Sequence, residues 1–316
     1  MRVLFAASPA IAIPALQSLC RTDGIELAGV LTNPDSPKGR HGTPAPTEIG
    51  EAAAKICLSV PVLKPNKLDA SAREQVSSLK PDMLVSFAYG CIFGPKFLAL
   101  FPLGGINIHP SLLPKYRGPS PVQAAILNRD GETGITVQIL AKEMDSGDIL
   151  ARENLQLTGN ETAGSLGEIM AQKAAVILPQ VLRDIASGAA RAQPQDHSKA
   201  SYCSLITRDD ALIDWKKSAV EIEACIRAFY PWPLCRTIHN GRELYILKAV
   251  IYSGEAQNGK KSPGQVEGID KQAGILVQTG EGILAVTELQ YQGKKALFWR
   301  DFFNGARDFL NTQLGK

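Results

Sequence analysis

The feature that most constrains the fold is an alternation of short apolar runs with helix-like segments in the first part of the chain. The apolar runs lie at Val3–Ala7, Leu27–Thr32, Met83–Phe87 and Ile106–Ile108, and the helix-like segments lie near Ile11–Cys20, Glu48–Cys57 and Ala72–Leu79. Alternating strands and helices form βαβ units, which build a mostly parallel sheet with helices on both faces. The turn after the first strand reads Ala-Ala-Ser-Pro instead of Gly-x-Gly-x-x-Gly. We therefore expect an α/β, Rossmann-like domain that does not bind NAD.

The same pattern continues to about residue 189. Ser120 is a suitable helix cap and predicts a helix over Val122–Asn128. Two further strands are expected at Gly134–Leu140 and Asp148–Asn154, and a long helix, bent or interrupted at Pro179, is expected to close the domain over Ala163–Ser187. We assign residues 1–189 to this first domain.

A second, smaller domain is expected after a polar stretch, residues 190–209, which lacks a clear period and reads as a linker. Ser218 and Glu221 form a capping-box pattern at the start of a short helix. His239-Asn-Gly separates two strand-like runs and indicates a hairpin. The five expected strands, with one helix, are typical of an OB-like β-barrel over residues 210–316: Leu234–Ile238, Glu243–Val250, Gly264–Ile269, Gly274–Thr279 and Ile283–Leu289. The sequence favours core positions over base-stacking for Trp215, Trp232 and Trp299.

Three polar residues stand out in the first domain. Asn107 and His109 lie on the same side of a strand, because side chains alternate across a strand. Asp145 follows in a turn that reads Glu-Met-Asp-Ser-Gly-Asp. An amide and a protonated imidazole can stabilise the oxyanion that forms when an amine attacks an acyl group, and imidazole or carboxylate can help to remove the proton. Taken singly, each residue is more often a cap, a structural histidine or a turn residue.

Together, these residues resemble the folate-dependent formyltransferases. The run Asn-Ile-His-Pro-Ser-Leu-Leu-Pro over residues 107–114, followed by Asp-Ser-Gly-Asp, is similar to the catalytic core of that family. The resemblance implies that Asn107, His109 and Asp145 are catalytic and that 10-formyltetrahydrofolate is the co-substrate. No metal is expected, because the cysteines and histidines lack metal-ligand spacing.

The co-substrate is expected at the carboxyl ends of the strands, where open α/β sheets bind ligands. Pro110 and Pro114 favour a rigid loop over a helix between them. We expect this lip and the segment after the third strand to line the folate cleft: Ser111, Leu112, Leu113, Pro114, Phe87, Tyr89 and Gly90.

The second domain and one loop indicate which amine accepts the formyl group. Ile213-Asp-Trp, Ile226-Arg-Ala-Phe and Pro231-Trp-Pro are similar to the carboxy-terminal domain of the family members that formylate methionyl-tRNA. Residues 33–46 form a loop rich in proline and glycine with Lys38 and Arg40 near its centre. On composition alone it is an exposed loop of no function, but it resembles a Pro-Asp-Arg-Pro-x-Gly-Arg loop that enters the acceptor end of the tRNA. The resemblance implies transfer to the α-amine of methionyl-initiator-tRNA.

Composition sets limits on class and compartment. Hydrophobic residues make up 45% and charged residues 21% of the chain, and the net charge is +3. These values are typical of a globular protein, and the charge is too small to establish an RNA partner by itself. We expect a cytoplasmic protein with no membrane span, and scattered cysteines that are reduced thiols.

Alternatives remain at this point. Other members of the same family formylate amino sugars or a ribonucleotide, or hydrolyse formyltetrahydrofolate. A serine hydrolase would require a nucleophile elbow, which Gly-Pro-Ser-Pro at residues 118–121 does not provide. A non-catalytic RNA-binding protein would need the loop but not Asn107, His109 and Asp145. The family resemblance implies a monomer.

Overall fold

The structure, a computed structural model, describes residues 1–38, 42–254 and 261–315. The chain divides into two compact units. The first contains residues 1–121, 132–156 and 166–204, and the second contains residues 122–131, 157–165 and 205–316. None of the helices in the described ranges is both long enough and apolar enough to span a membrane.

The first unit is built on a seven-stranded, mostly parallel sheet, which confirms the predicted fold class. The strands of this half of the chain are β1 (Arg2–Ala7), β2 (Glu26–Leu31), β3 (Ser36–Lys38), β4 (Thr43–Ala45), β5 (Val62–Leu63), β6 (Met83–Phe87), β7 (Gly105–His109), β8 (Glu132–Ile139) and β9 (Ile149–Gln156). The strand order of the large sheet is β5-β2-β1-β6-β7-β8-β9, and β3 and β4 form a separate pair. The strands up to β7 in this order are parallel, β8 is antiparallel to β7, and β9 is antiparallel to β8.

The helices in this half agree closely with those expected from sequence. They are α1 (Ile13–Leu19), α2 (Glu48–Ile56), α3 (Ala70–Ser78), α4 (Pro95–Leu98), α5 (Pro121–Leu127) and α6 (Ala163–Ala186). α6 is a single helix with Pro179 inside it. The central strands are buried throughout, as expected for a sheet covered on both faces.

The order of the strands has a switch point between β1 and β6, and we expect a crevice at the carboxyl ends of the strands there. The chain runs from β1 outward to β2 and β5 and then continues at β6 on the other side of β1. Such a switch point leaves space beyond the strand ends. Asn33, just after β2, ties these ends together: its backbone N–H donates to Ser8 Oγ at 3.2 Å, and its amide Nδ2 donates to the Tyr89 carbonyl oxygen at 3.2 Å.

The second unit is a curled antiparallel sheet. Its elements are α7 (Ala219–Ala228), β10 (Arg236–His239), β11 (Arg242–Ile251), β12 (Val266–Asp270), β13 (Gly274–Gln278), β14 (Ile283–Tyr291), β15 (Leu297–Phe298) and α8 (Trp299–Gly305). The order is β10-β11-β14-β13-β12, with β15 paired to β14. The carboxy-terminal segment bridges the two edges, because the Thr312 carbonyl oxygen accepts from the Val266 N–H and the Gly315 N–H donates to the Ile238 carbonyl oxygen. This curled sheet confirms the predicted OB-like fold class.

Local sequence signals in this unit are also confirmed. The Ser218 hydroxyl accepts from the Glu221 N–H at 3.2 Å, and the Glu221 carboxylate accepts from the Ser218 N–H at 2.9 Å, completing the capping box. Asn240 and Gly241 have φ values of +50° and +71°, which suit the tight turn between β10 and β11. The core positions predicted for Trp215 and Trp299 are correct. The prediction was wrong for Trp232, which is 59% exposed, because apolar character alone does not reveal which face of a loop packs.

A buried histidine makes this unit sensitive to pH. His239 is 4% exposed, its Nδ1 hydrogen-bonds to the Tyr291 hydroxyl at 2.6 Å, and its Nε2 is buried with no hydrogen-bond partner among the described residues. Burial lowers the pKa of His239, the nearby Arg242 lowers it further, and Asp308 opposes the shift. The folded protein therefore holds the neutral imidazole.

We expect the free energy of unfolding of this unit to fall as the pH drops below about 6.5, the ordinary pKa of histidine. The unfolded chain takes up the proton more readily than the folded one, so acid favours unfolding. Urea denaturation between pH 7.5 and 5.5, followed by tryptophan fluorescence, measures this dependence. His239→Asn should flatten it, and a variant with an unchanged slope would assign the dependence to another group.

Candidate active site

Strand β7 carries two of the predicted catalytic residues on the same side of the sheet. In its pairing with the antiparallel β8, Asn107 lies opposite Gln138 and His109 lies opposite Thr136. Both side chains point to the same side of the sheet and meet Asp145, which lies in the loop between β8 and β9. The structure thus brings the three predicted residues together at one strand end, as the alternation of side chains requires.

The Asp145 carboxylate is surrounded by N–H donors. The Gly118 backbone N–H donates to Oδ2 at 2.9 Å, Gln138 Nε2 donates to Oδ1 at 2.8 Å, and Asn107 Nδ2 donates to Oδ1 at 3.3 Å. The side chain is 11% exposed. Asp145 also has a φ of +52°, in the left-handed region that a non-glycine residue adopts only when its surroundings fix it. Both carboxylate oxygens therefore act as acceptors held in fixed directions.

The orientation of His109 follows from its hydrogen bond. Nε2 lies 2.9 Å from the Tyr116 carbonyl oxygen, and a carbonyl can only accept, so Nε2 carries a hydrogen. The other nitrogen, Nδ1, faces Asp145 Oδ1 at 3.6 Å, which is longer than a hydrogen bond. The imidazole is 4% exposed. The ring is thus fixed from one side and turns its second nitrogen toward the carboxylate.

The lip that follows β7 is a fixed loop, as predicted from its prolines. Thr136 Oγ1 donates to the Ser111 carbonyl oxygen at 2.7 Å and accepts from the Leu113 N–H at 3.2 Å. Arg152 Nη2 donates to the Leu113 carbonyl oxygen. Ser111 and Leu113 are fully buried, whereas Leu112 and Pro114 are half-buried. Only the last two can present much side-chain surface to a ligand.

The other residues predicted to line the cleft differ in their burial. Phe87 and Tyr89 are buried, and the Tyr89 ring stacks on Phe93 with 5.3 Å between centroids. Burial raises the pKa of the Tyr89 hydroxyl, with a further contribution from Cys91. Ala88 and Gly90 are exposed, with φ values of +53° and +85°. This segment can therefore offer a ligand its backbone at residues 88–90, while the side chains of Phe87 and Tyr89 are buried.

The predicted RNA-contacting loop is a hairpin anchored at both ends. Arg40 lies outside the described residues, and Lys38 ends strand β3, where it pairs with Thr43 of β4. Before the hairpin, Asp35 forms an ion pair with Lys64 at 2.6 Å. After it, the loop ends at the first residues of α2. Strand β3 thus begins shortly after Asn33.

Sequence reasoning did not identify four residues of this site. Gly118 and Gln138 hold the Asp145 carboxylate, and Arg117 and Gln195 lie behind them. A glutamine within the apolar run of β8 was a detectable signal, because it lies opposite Asn107. No comparable sequence signal marked Gln195, because it lies in the polar stretch, residues 190–209, that was expected to be a linker. Among the described residues, no group of His, Cys, Asp and Glu has the arrangement of a metal site.

Comparisons with known proteins identify the family of the chain. A family model described as Formyl transferase matches residues 1–182, and one described as Formyl transferase, C-terminal domain matches residues 205–307. Methionyl-tRNA formyltransferase from Treponema denticola is 48% identical over 319 residues, covering 98% of both chains.

Two solved structures share the fold. An N-formyltransferase from Helicobacter canadensis, in complex with folinic acid and dTDP-3-aminofucose, has a TM-score of 0.64 at 19% identity, covering 90% of this chain and 98% of that one. HypX from Aquifex aeolicus, in complex with tetrahydrofolic acid, has a TM-score of 0.61 at 14% identity. That match covers 98% of this chain and 47% of HypX, so the chain spans about half the length of HypX.

Gly118→Ala should destabilise the first unit by roughly 1–3 kcal/mol. The glycine has a φ of +116°, and an added Cβ would lie 2.3 Å from the Cys203 carbonyl oxygen. Urea denaturation measures the effect. Gly167→Ala is the matched control, since that glycine is in α6 with open space around its Cβ position, and it should leave stability unchanged or raise it. Equal stability of the two variants would contradict the close packing at Gly118.

Proposed function

Since the chain belongs to the formyl transferase family, we propose that it transfers the formyl group of 10-formyltetrahydrofolate to the α-amino group of methionyl-initiator-tRNA. The product is formylmethionyl-tRNA, which serves translation initiation. The observation that carries the proposal is the placement of Asn107, His109 and Asp145 around one corner of the strand-end crevice in a chain related over its full length to a methionyl-tRNA formyltransferase.

The residues present fit a formyl group. The Asn107 amide has two hydrogens, and one of them is directed to Asp145. The other can donate to the formyl oxygen. Protonated His109 would carry a hydrogen on Nδ1, and because Asp145 Oδ1 lies 3.6 Å away, beyond hydrogen-bond distance, that hydrogen is able to donate to an oxygen beside the pair. Two donors aimed at the oxygen that gains negative charge stabilise the transition state.

Asp145 supplies the acceptor that the reaction needs. When the methionyl amine attacks the formyl carbon, a new C–N bond forms, the bond from that carbon to the folate nitrogen breaks, and the amine must lose a proton. The carboxylate accepts from three N–H groups and remains partly open, so it can orient the imidazole and move this proton toward the leaving nitrogen. Because the donors are fixed before the substrate arrives, little reorganisation is required.

We assign catalysis to residues 1–189 and part of tRNA binding to residues 210–316. Arg40 and Lys38, which belong to the segment 33–46 rich in proline and glycine, would contact the phosphates or bases of the acceptor end. Folate would bind against the backbone of residues 88–90 and the lip formed by Ser111–Pro114. We further propose that the protein acts as a monomer in the cytoplasm. The alternative acceptors, an amino sugar or a ribonucleotide, are not favoured, because the relatives named methionyl-tRNA formyltransferase match nearly the full chain.

Single-turnover transfer of labelled formyl tests the function. Labelled 10-formyltetrahydrofolate is offered in parallel to methionyl-initiator-tRNA, glycinamide ribonucleotide and water. We expect fast labelling of the charged tRNA alone. Labelling of the ribonucleotide, or hydrolysis at a comparable rate, would overturn the assigned acceptor while leaving formyl-transfer chemistry in place.

Asp145→Asn should lower kcat by at least about 100-fold with little change in folate affinity, because proton transfer contributes in the transition state. Steady-state kinetics and a folate-binding titration separate the two effects. A near-normal kcat would remove Asp145 from the mechanism.

Arg40→Ala should raise the KM for tRNA by about tenfold and leave the KM for folate unchanged, since a lost phosphate contact weakens RNA binding alone. Lys67→Ala is a suitable control, because this lysine lies outside the hairpin. An unchanged KM for tRNA would indicate that the loop does not contact RNA.

A further inference from the structure

We propose that Arg117, Gln195 and Gln138 form a positioning relay that fixes the direction in which Asp145 accepts hydrogen bonds. The inference rests on the proposed function and extends it to residues behind the three catalytic ones. None of the relay residues is placed against the substrate. Their effect on the reaction passes through the Asp145 carboxylate.

The relay begins at a buried cation. Arg117 is 2% exposed, and no carboxylate forms an ion pair with it within the described residues. Its guanidinium instead donates to the Gln195 side-chain oxygen from Nε at 3.2 Å and from Nη2 at 2.7 Å, and to the Tyr202 hydroxyl from Nη1 at 3.3 Å. Nη2 also lies 2.9 Å from His197 Nδ1. Burying a cation among neutral groups is costly, so a neutral partner at this site indicates a role in orientation.

Arg117 determines which way the Gln195 amide faces. Guanidinium can only donate, so the two bonds require Gln195 Oε1 on the Arg117 side. The amide nitrogen must then face the other way, and it does: Nε2 donates to the carbonyl oxygens of Asp145 at 2.9 Å and Gly147 at 2.7 Å. The same nitrogen lies 3.2 Å from Gln138 Oε1. Gln195 therefore holds the backbone of the Asp145 loop and also orients the next amide.

The orientation of the Gln195 amide in turn determines which atom of the Gln138 amide faces the Asp145 carboxylate. Because its oxygen faces Gln195 Nε2, its own nitrogen faces Asp145 and donates to Oδ1 at 2.8 Å. If this amide were turned over, its oxygen would face the carboxylate oxygen and repel it. The chain of donors thus runs in one direction, from Arg117 through two glutamines to Asp145. It is buried over its length, with Gln195 at 5% and Gln138 at 2% exposure, so water cannot substitute for a missing donor.

Gln195→Glu tests the relay. The new carboxylate can still accept from Arg117, but its second oxygen would face the Asp145 and Gly147 carbonyls and Gln138 Oε1 without a hydrogen to offer. Gln138 would then turn its oxygen toward Asp145 and disfavour the ionised form. We expect kcat at pH 7 to fall at least tenfold, the acid limb of the kcat–pH profile to move upward by about one pH unit, and the KM for folate to stay within about twofold.

Gln193→Glu is the matched control, because it makes the same change at an exposed position two residues away. It should leave the profile in place. If Gln195→Glu does not fold, as judged by thermal melting, Gln138→Leu removes the last donor without adding charge and should also lower kcat and raise the acid limb.

The outcomes separate two failures. A wild-type protein that does not formylate methionyl-tRNA refutes the proposed function. A wild-type protein that does so, with a folded Gln195→Glu or Gln138→Leu variant whose acid limb is unmoved, refutes the relay, even if the rate has fallen.

Discussion

A carboxylate that is withdrawn from water must receive hydrogen bonds from fixed donors, and this requirement organises the first unit around Asp145. Its donors come from three separate segments: Asn107 on β7, Gln138 on β8 and the Gly118 backbone after the lip. An ionised group buried without such donors would cost several kcal/mol. The register of β7 against β8 and the path of the lip must therefore together bring all three donors within hydrogen-bond distance of the Asp145 carboxylate.

The antiparallel end of the sheet makes this arrangement possible. β8 runs back along β7 with Ile139 opposite Ile106, so the loop that follows β8 begins beside Gly105 and turns back to bring Asp145 to Asn107 and His109. The loop is tight. A Cβ on Gly147 would lie 1.8 Å from the Ile139 carbonyl oxygen, so the position requires glycine. The turn residues around Asp145 therefore serve both the fold and the site.

Side-chain contacts at the base of the loops fix the strand ends near Asp145. Asn33 joins the ends of β1, β2 and β6, and Asp35 pairs with Lys64 where the hairpin begins. Phe87 and Tyr89 are buried next to Ala88 and Gly90, whose backbone adopts left-handed conformations. Such strained loops persist where the surrounding core fixes them, and they are common at binding sites. Fixed residues at the base of an exposed loop suit the proposed site, which has to bind a tRNA next to the smaller folate.

The sequence alone determined the strand and helix pattern, the separate curled sheet, the hairpin at Asn240-Gly241 and the pairing of Asn107 with His109 on one strand face. These depend on local periodicity and turn chemistry, which act over a few residues. Only the tertiary structure decided which side chains surround Asp145 and which stand behind them, because Arg117, Gln138 and Gln195 are far apart in sequence and their hydrogen bonds form only when the sheet has closed. It also decided that Phe87 and Tyr89 pack inward while Trp232 remains exposed. Burial is a property of packed neighbours, and the composition of a segment does not specify its neighbours.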